Sequence, residues 1–328
     1  MGFWGGRAVL VTGGNGFIGS HLVELLVKEG ARVTSTASTE AGRFRYLDRV
    51  KQDIRTVVGD LADPDIARRA VRNQDTVLHL AARVGGIQYN LDHPASIFRD
   101  NMTAFLSVME AARSEGVPRF VVTSSACVYQ RHCTVPTPEN EGFVGRPEPS
   151  NEGYGWAKRM EEYLAAAYAG EYGLCVRVAR PYNAYGPRDN FDEASSHVIP
   201  ALIRRVVRGE DPLVVWGDGQ ATRSFLYATD FARGLMAVAE HSRDAEAINI
   251  GSDEEVSMGD LARMIVEESG QSTRIVFDPS RPTGQPRRAC DTRKAQRLLG
   301  YRAAVPLREG LRQTLEWYRS HVPAEAAG

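Results

Sequence analysis

Residues 8–19, AVLVTGGNGFIG, decide the fold of this chain of 328 residues. The apolar run at 8–11 predicts a buried strand, and glycines at 13, 16 and 19 lead into helical spacing. In this pattern the first glycine permits a tight turn, the second lets the backbone approach a pyrophosphate, and the third lets a helix pack close to the sheet. The helix N-terminus then offers free N–H groups to an anion. The stretch therefore predicts a dinucleotide site, and the alternative is a glycine-rich turn without a ligand.

Strand and helix patterns alternate through the first half of the chain. Apolar runs predict strands at 8–11, 32–34, 55–58, 76–80, 120–123 and 175–178, and helical spacing predicts helices at 17–29, about 95–115 and about 154–172. Continuous apolar strands that alternate with helices are typical of a parallel sheet covered on both faces. Later segments predict helices at 197–208, 229–241, 257–269 and about 307–320, with a short strand at 274–277.

The predicted fold class is α/β, a Rossmann doubly wound parallel sheet with a smaller, interleaved α/β substrate domain. We expect the dinucleotide-binding domain to cover 1–180 plus about 221–249. The nucleotide-sugar-binding domain then covers about 181–220 plus 250–328. Ligands of such sheets bind at the carboxyl ends of the strands, so the cleft between these two parts is the expected site.

Composition excludes several classes of function. With 40 basic and 41 acidic residues the net charge is −1, which provides no general field for nucleic acid. No apolar run approaches the ~20 residues of a membrane span, and the segment before the first strand is too short for a signal peptide. The four cysteines form no Cys-x-x-Cys pair, and no acidic or histidine cluster indicates a metal. We expect a cytoplasmic protein with reduced thiols and no metal, nucleic-acid or membrane partner.

The end of the second strand bears on the choice of coenzyme. A site for NAD usually places Asp or Glu there, against the adenosine ribose. Here residues 34–39 read TSTAST, with no acid before Glu40 and with Arg43 and Arg45 following. A missing carboxylate removes repulsion of a 2′-phosphate, and an arginine can bind one, so NADP(H) is favoured. NAD(H) is second: the arginines are then solvated, and hydroxyls such as that of Ser38 hold the ribose.

Residues 154–158, YGWAK, place Tyr154 and Lys158 four apart on one helical face. A nearby ammonium stabilises tyrosinate, so we expect the phenol to exchange protons near neutral pH. Such a pair also occurs by chance on protein surfaces. Downstream of a dinucleotide loop, and after a strand that ends at 123–125 in Thr-Ser-Ser, it resembles the extended short-chain dehydrogenase/reductase family, nucleotide-sugar branch. That resemblance covers nearly the whole chain and implies hydride chemistry on nucleotide sugars.

The family's catalytic Ser, Tyr and Lys fall on Ser125, Tyr154 and Lys158. The resemblance and the glycine loop together give the coenzyme-binding prediction, in which Tyr154 and Lys158 also take part. The other members are Gly13, Asn15, Gly16, Phe17, Ile18, Gly19, Ser38, Arg43, Asp60, Leu61, Leu80, Ala81 and Ala82.

Two residues point to acid–base chemistry at the sugar. The family's 4,6-dehydratases carry Asp-Glu where Ala126 and Cys127 stand, so elimination lacks its acid and base here. A thiol can remove a proton beside a ketone, and neighbouring cations favour its thiolate; the alternative is a small buried Cys. Residues 188–202, RDNFDEASSHVIPAL, resemble the matching segment of GDP-L-fucose synthases, which pair this Cys with the residue at His197.

Further stretches support and qualify that resemblance. Residues 82–87, 215–219 and 277–288 fit the fucose-synthase branch. The segments around Cys127, at 217–225 and at 249–254 are more similar to GDP-mannose 3,5-epimerases. Those enzymes pair their Cys with a Lys, and this chain has no Lys between 159 and 293. Pairing with His197 therefore fits the fucose-synthase branch better.

The substrate-binding prediction rests on guanidinium groups for a diphosphate and an aromatic plane for a base. Each arginine has the alternative of a solvated position. The predicted residues are Ser125, Asn183, His197, Val198, Arg205, Trp216, Arg223 and Arg288.

The expected function is 3,5-epimerisation and 4-reduction of a GDP-4-keto-6-deoxy-sugar. One alternative is a redox-neutral NAD-dependent nucleotide-sugar epimerase, of the GDP-mannose 3,5-epimerase or 4-epimerase type. Another is a non-catalytic Rossmann protein that senses coenzyme. We also expect a homodimer formed through the helices at 95–115 and 154–172. Their apolar residues beyond one stripe are Phe98, Met102, Phe105, Leu106, Met109, Met160, Tyr163, Leu164 and Tyr168.

Overall fold

A seven-stranded parallel sheet forms the centre of the molecule, in a computed structural model that describes residues 2–193, 195–281 and 284–322 without the Ile87 side chain. Its strand order is β11-β6-β5-β4-β1-β2-β3. The strands are β1 (Ala8–Thr12), β2 (Arg32–Ala37), β3 (Ile54–Val58), β4 (Thr76–His79), β5 (Arg119–Thr123), β6 (Val176–Pro181) and β11 (Ala247–Ile250). The register pairs Leu10 with Thr34 on one side and with Val77 on the other. The predicted fold class is confirmed.

Helices cover both faces of this sheet. They are α1 (Phe17–Lys28), α2 (Pro64–Val71), α3 (Ile87–Asp92), α4 (Pro94–Ser114), α5 (Glu152–Tyr172) and α7 (Ala228–His241). Val9 and Val11 pack with α1 and α7 on one face, whereas Leu10 packs with α2 and α4 on the other. Successive strand residues point to opposite faces, so a fully apolar strand fills both cores.

A second apolar core lies in the carboxy-terminal part of the chain. It contains residues of α6 (Val198–Val207), α8 (Met258–Ser269) and α10 (Leu307–His321). The remaining elements are β7 (Ala184–Tyr185), β8 (Leu213–Trp216), β9 (Thr222–Ser224), β10 (Leu226–Tyr227), β12 (Glu255–Ser257), β13 (Ile275–Asp278), β14 (Arg287–Arg288) and α9 (Arg293–Leu299). Contacts of Ser224 with Asn183 and of Arg288 with Cys127 bring β9 and β14 to the segments that follow β6 and β5.

Several short elements were absent from the sequence prediction. Helix α2 is only eight residues long, so its pattern covers little more than two turns, although Asp63 caps it by accepting a hydrogen bond from the Asp65 N–H. Helices α3 and α9 and strands β8 and β11 were also missed. Strand β2 runs to Ala37, three residues beyond the prediction, because pairing with β3 continues through Val58.

The predicted dimer surface needs a correction. Phe105 and Met109 are fully buried inside the protomer, where they pack against the central sheet. The 3.6-residue helical period turns these two toward the core and leaves Phe98, Leu106 and Tyr163 exposed. The exposed apolar face on α4 and α5 is therefore narrower than predicted.

Candidate active site

The glycine loop forms a close-fitting cradle at the carboxyl ends of β1 and β4. Gly13 has φ +65°, and a Cβ added there would lie 3.1 Å from the Ala81 Cα. A Cβ on Gly19 would collide with the Gly13 carbonyl. Thr12 Oγ1 accepts hydrogen bonds of 3.0 Å from the N–H groups of Leu80 and Ala81, which ties the two strand ends together. The backbone is thus exposed on this side as a dinucleotide requires.

Helix α1 begins at the end of this loop. Gly16 is its N-cap and supplies no side-chain hydrogen bond, so the first N–H groups remain for a ligand. Phe17 and Ile18 occupy the first turn and are half-buried. A pyrophosphate fits this cradle because both the space and the donors are present.

A loop after β2 lies against the phosphate loop. Asn15 Nδ2 donates to the Gly42 carbonyl at 2.7 Å, which fixes the loop that carries Arg43. The Arg43 Nε is buried without a hydrogen-bond partner, and its Nη1 lies 3.7 Å from the Glu40 carboxylate. Ser38 is exposed just beyond the strand end. Arg43 therefore lies on a loop held next to the phosphate loop.

The other predicted coenzyme residues follow β3 and β4. Asp60 is exposed and its Oδ1 accepts from the Ala62 N–H at 2.9 Å, so its carboxylate shapes the turn. Leu61 is buried, and half-buried Ala82 directly follows Ala81, which lies against Gly13 of the glycine loop. Thus the structure brings most of the predicted dinucleotide residues to one edge, with Asp60 already engaged locally.

Tyr154, Ser125 and Cys127 come together because α5 packs directly on the segment after β5. A Cβ on Gly155 would lie 2.5 Å from the Cys127 carbonyl oxygen, so only glycine allows this approach. Ser125 Oγ accepts from the Cys127 N–H at 3.1 Å and caps the short 3₁₀ turn Ala126–Val128. Burial raises the pKa of Tyr154 well above 10, nearby negative charge at Cys127 and Glu161 raises it further, and the Ser125 hydroxyl opposes the shift.

Lys158 forms a buried ion pair that the sequence analysis missed. Its Nζ donates to Glu161 Oε2 at 2.8 Å, and the two side chains are 2% and 1% exposed. The Nζ lies 5.5 Å from the centre of the Tyr154 ring. The expectation that Lys158 brings the Tyr154 pKa toward neutrality is wrong for this structure, because Glu161 offsets the ammonium charge and burial dominates. The only advance signal was the i, i+3 spacing.

Cys127 lies between two hydrogen-bond donors. Asn151 Nδ2 is 3.0 Å from its sulfur, and Arg288 Nη2 is 3.7 Å away on the other element, β14. Although burial lowers the pKa of Arg288, the Cys127 sulfur raises it above the usual range. The Cys127 sulfur is thus the acceptor for one neutral donor and one cationic donor. Asn151 was not predicted, and no pattern in the sequence indicated it.

A second guanidinium lies beside Arg288. Burial, followed by repulsion from Arg288, lowers the pKa of Arg223 to about 10, while the Glu148 carboxylate opposes this shift. Glu148 is buried, and its Oε1 accepts from Arg131 at 3.0 Å. Two neighbouring guanidinium groups attract an anion such as a diphosphate. Arg131 is a third cation here that the sequence analysis missed.

His197 lies at the N-cap of α6, with Val198 exposed beside it. A Cβ on Gly86 would lie 3.3 Å from the Ser195 carbonyl oxygen, so this segment rests on the loop after β4. Water reaches His197, yet protein atoms surround its ring, and this desolvation lowers its pKa below 6.5. Among the described residues, the hydrogen-bond donors to the Cys127 sulfur are Asn151 and Arg288, and His197 is not one of them.

Three predicted substrate residues have local partners. Arg205 pairs with Glu210 through its Nε at 2.7 Å, so its guanidinium is already neutralised. Trp216 is 52% exposed at the end of β8, with Arg281 over its ring. Asn183 Nδ2 donates to the Ser224 carbonyl at 2.8 Å and ties β9 to the end of β6.

Comparisons with known proteins agree with this site. Residues 9–251 match the NAD dependent epimerase/dehydratase family. The chain therefore belongs to this family. It is 36% identical over 323 residues to a dTDP-4-dehydro-6-deoxy-D-allose reductase of Streptomyces bikiniensis, covering 97% of this chain and 98% of that protein. It is 35% identical to a probable GDP-L-fucose synthase of rice, covering 97% and 93%. The predicted family and the prediction of an NAD(P)-dependent nucleotide-sugar epimerase/reductase are confirmed.

Solved structures give the same picture. A UDP-glucose 4-epimerase of Thermotoga maritima with UDP-glucose is 29% identical, with a TM-score of 0.86 over 96% of this chain and 100% of that one. A GDP-L-fucose synthetase of Naegleria fowleri bound to NADP is 26% identical, with a TM-score of 0.80 over 96% and 95%. A dTDP-glucose 4,6-dehydratase of Streptomyces venezuelae with NAD is 28% identical, with a TM-score of 0.82 over 95% and 97%. Both coenzymes thus occur among the related structures.

Within the described residues, no helix is long and apolar enough to cross a membrane. In the same part of the chain, no group of three or more His, Cys, Asp or Glu side chains is placed to hold a metal ion.

Proposed function

We propose that this enzyme epimerises C3 and C5 of a GDP-4-keto-6-deoxy-sugar and then reduces C4 with NADPH. The observation that carries the proposal is the placement of Cys127. Its sulfur lies between donors from Asn151 and Arg288, on the segment that Gly155 holds against Tyr154. A reductase alone needs a hydride and a proton donor, and has no use for a second acid–base group at the sugar.

Tyr154 is the proton donor of the reduction. Because its pKa is raised well above 10, the phenol is protonated at neutral pH, which is the form that can give a proton to the C4 oxygen. A bound NAD(P)H supplies the hydride to C4. Ser125 hydrogen-bonds the same oxygen, and Lys158 orients the nicotinamide ribose.

Cys127 and His197 exchange the C3 and C5 protons. The C4 ketone acidifies both positions, so a base on each face of the sugar can remove a proton and an acid can return one. The lowered pKa of His197 keeps its imidazole neutral at pH 7, as a base requires. Cys127 is the other acid–base group, and the donors of Asn151 and Arg288 hold its sulfur in place. The diphosphate lies between Arg223 and Arg288, with Trp216 available to the base.

The proposed coenzyme preference is NADP(H). Its support is the unpartnered Arg43 Nε on a loop fixed to Asn15, together with β2 ending at Ala37 without an acidic residue. Arg43 is the group that would take the 2′-phosphate.

We further propose the two domains predicted from the sequence, a homodimer and a cytoplasmic location. Two separate apolar cores support two domains, although Ala295, Leu299 and Tyr301 of the second predicted range pack in the first core. The exposed Phe98, Leu106 and Tyr163 on neighbouring helices support an isologous contact. All four cysteines are free, as in a reducing compartment. Light scattering at micromolar concentration tests the dimer, and a monomer contradicts it.

A panel of GDP-, dTDP- and UDP-linked 4-keto-6-deoxy-sugars with NADPH tests the proposed reaction. We expect coenzyme consumption with the GDP-sugar and a product inverted at C3 and C5 by NMR. Turnover without added coenzyme would instead indicate a redox-neutral epimerase.

A second candidate is simple C4 reduction of a dTDP-linked sugar. The observation that favours it is the 36% identity with a dTDP-sugar reductase over nearly the full length of both chains. Retention of configuration at C3 and C5 in the same experiment would support it.

A further inference from the structure

Arg288 belongs to two clusters at once. Its guanidinium lies 3.7 Å from the Cys127 sulfur, and its charge also repels Arg223 in the proposed diphosphate subsite. The two residues of the first contact are 161 positions apart in sequence, so the fold alone brings them together. A single cation therefore faces both the acid–base sulfur and the place where the substrate's negative charge arrives.

We infer that Arg288 couples occupancy of the diphosphate subsite to the reactivity of Cys127. In the free enzyme the guanidinium lies beside the sulfur, where its positive charge stabilises the ionised form of the thiol. When a diphosphate binds, its charge competes for Arg288 and withdraws part of this stabilisation. The thiolate then becomes a stronger base only when substrate is present. This inference rests on the proposed function for the identity of the anion.

Asn151 explains why the thiolate survives the exchange. Its Nδ2 donates to the sulfur at 3.0 Å, and its Oδ1 is buried without a hydrogen-bond partner. No other hydrogen bond of the Oδ1 therefore pulls the amide away from the sulfur when an anion binds Arg288. A neutral amide holds the sulfur in position without the full stabilising charge of an arginine. Asn151 thus positions the Cys127 sulfur, and Arg288 controls its reactivity.

Alkylation of Cys127 by iodoacetamide, followed by peptide mass spectrometry, measures the thiolate without any turnover. Near pH 7.5 we expect Arg288→Met to slow alkylation of Cys127 about tenfold, because less thiolate is present. Arg288→Lys keeps the charge and should give an intermediate rate. The matched control is Arg287→Met, since the neighbouring guanidinium is exposed and pairs with Glu255. Equal rates for Arg288→Met and Arg287→Met would overturn the inference.

The same alkylation is then repeated with GDP bound, and calorimetry verifies that GDP binds. Inorganic pyrophosphate is the probe if GDP does not bind. We expect the saturating anion to slow alkylation of the wild type near pH 7.5 but to have little effect on Arg288→Met. Near pH 10 the thiol is ionised in every variant, so the slowing should disappear. Slowing that persists at high pH shows simple blocking of access, and no slowing at saturation shows no coupling; either result overturns the inference.

The outcome is independent of the proposed reaction. If the ketosugar panel gives no turnover but the alkylation pattern holds, the proposed function fails and the coupling stands. If turnover occurs and the alkylation pattern fails, the reverse is true. Thermal unfolding followed by circular dichroism shows whether each variant is folded.

Discussion

Two polar pairs flank Tyr154, and they differ in almost every physical respect. Lys158 and Glu161 are buried to within 2% exposure and neutralise each other beneath the phenol. Cys127 and Arg288 are both half-buried and meet at 3.7 Å, with the guanidinium of Arg223 beside them to attract an anion. The inner pair is built to stay fixed and the outer pair to respond to a ligand. In the proposed reaction, Tyr154 therefore acts beside a fixed ion pair, whereas Cys127, which moves protons on the sugar, lies beside an arginine that responds to the ligand.

Removing the Tyr154 hydroxyl should have the largest effect on C4 reduction. Tyr154→Phe deletes the proton donor, and we expect C4 reduction to fall by roughly 10²–10⁴-fold. Binding of NADPH, measured by fluorescence, should persist because the glycine loop is intact. Exchange of C3 and C5 protons should also persist, since it uses Cys127 and His197. Reduction at the wild-type rate would remove Tyr154 from the mechanism.

Replacing the proposed acid–base groups Cys127 and His197 should separate proton exchange from hydride transfer. Cys127→Ser and His197→Asn are expected to lower solvent exchange at C3 and C5 by about 10²-fold or more, because a serine hydroxyl is far less acidic than a thiol. Hydride transfer, measured in a single turnover, should fall much less. Exchange at the wild-type rate in both variants would show that the two residues are structural.

Breaking the inner pair should affect stability before chemistry. Glu161→Gln leaves the buried ammonium of Lys158 without its counter-charge, which costs about 3–5 kcal/mol of unfolding free energy. The matched control is Glu309→Gln on α10, whose partner Arg312 is exposed and whose loss should leave the urea midpoint unchanged. Equal midpoints for the two variants would show that the inner pair is not the fixed element described above.

The smallest expected effect lies outside both pairs, at the coenzyme's ribose. Arg43→Ala should weaken NADPH binding about tenfold and leave NADH binding nearly unchanged, because only NADPH carries the 2′-phosphate. Calorimetric titration of both coenzymes measures this directly. A similar loss for both would assign Arg43 to the loop's structure, and no loss would favour NAD.

Local spacing in the sequence made the glycine loop and the Tyr154–Lys158 pair predictable. The glycine loop between β1 and α1, and the Tyr154–Lys158 pair on one helix, depend on residues that are neighbours in sequence. The ion pair with Glu161 was missed because spacing shows that two groups can meet and does not show that both are buried. Likewise, Phe105 was predicted at a dimer surface, although the structure turns it into the core.

The contacts of Cys127 with Arg288 and Asn151 could not be derived from spacing in the sequence. Arg288 reaches Cys127 only through the pairing of β14 with β9, across 161 residues. Both residues were singled out through the family resemblance, but their contact with each other was not. Asn151 carried no signal at all. Arg205 was predicted on the same resemblance, yet its guanidinium is paired with Glu210.

The central claim is that proton exchange and hydride transfer occur at different groups of one site. The most direct test is a single incubation of the GDP-4-keto-6-deoxy-sugar with the wild-type enzyme and NADPH in D₂O, with the product analysed by NMR. The account predicts solvent deuterium at both C3 and C5 and protium, delivered by the coenzyme, at C4. A reduced product that carries no deuterium at C3 or C5 would contradict it and leave a simple 4-reductase.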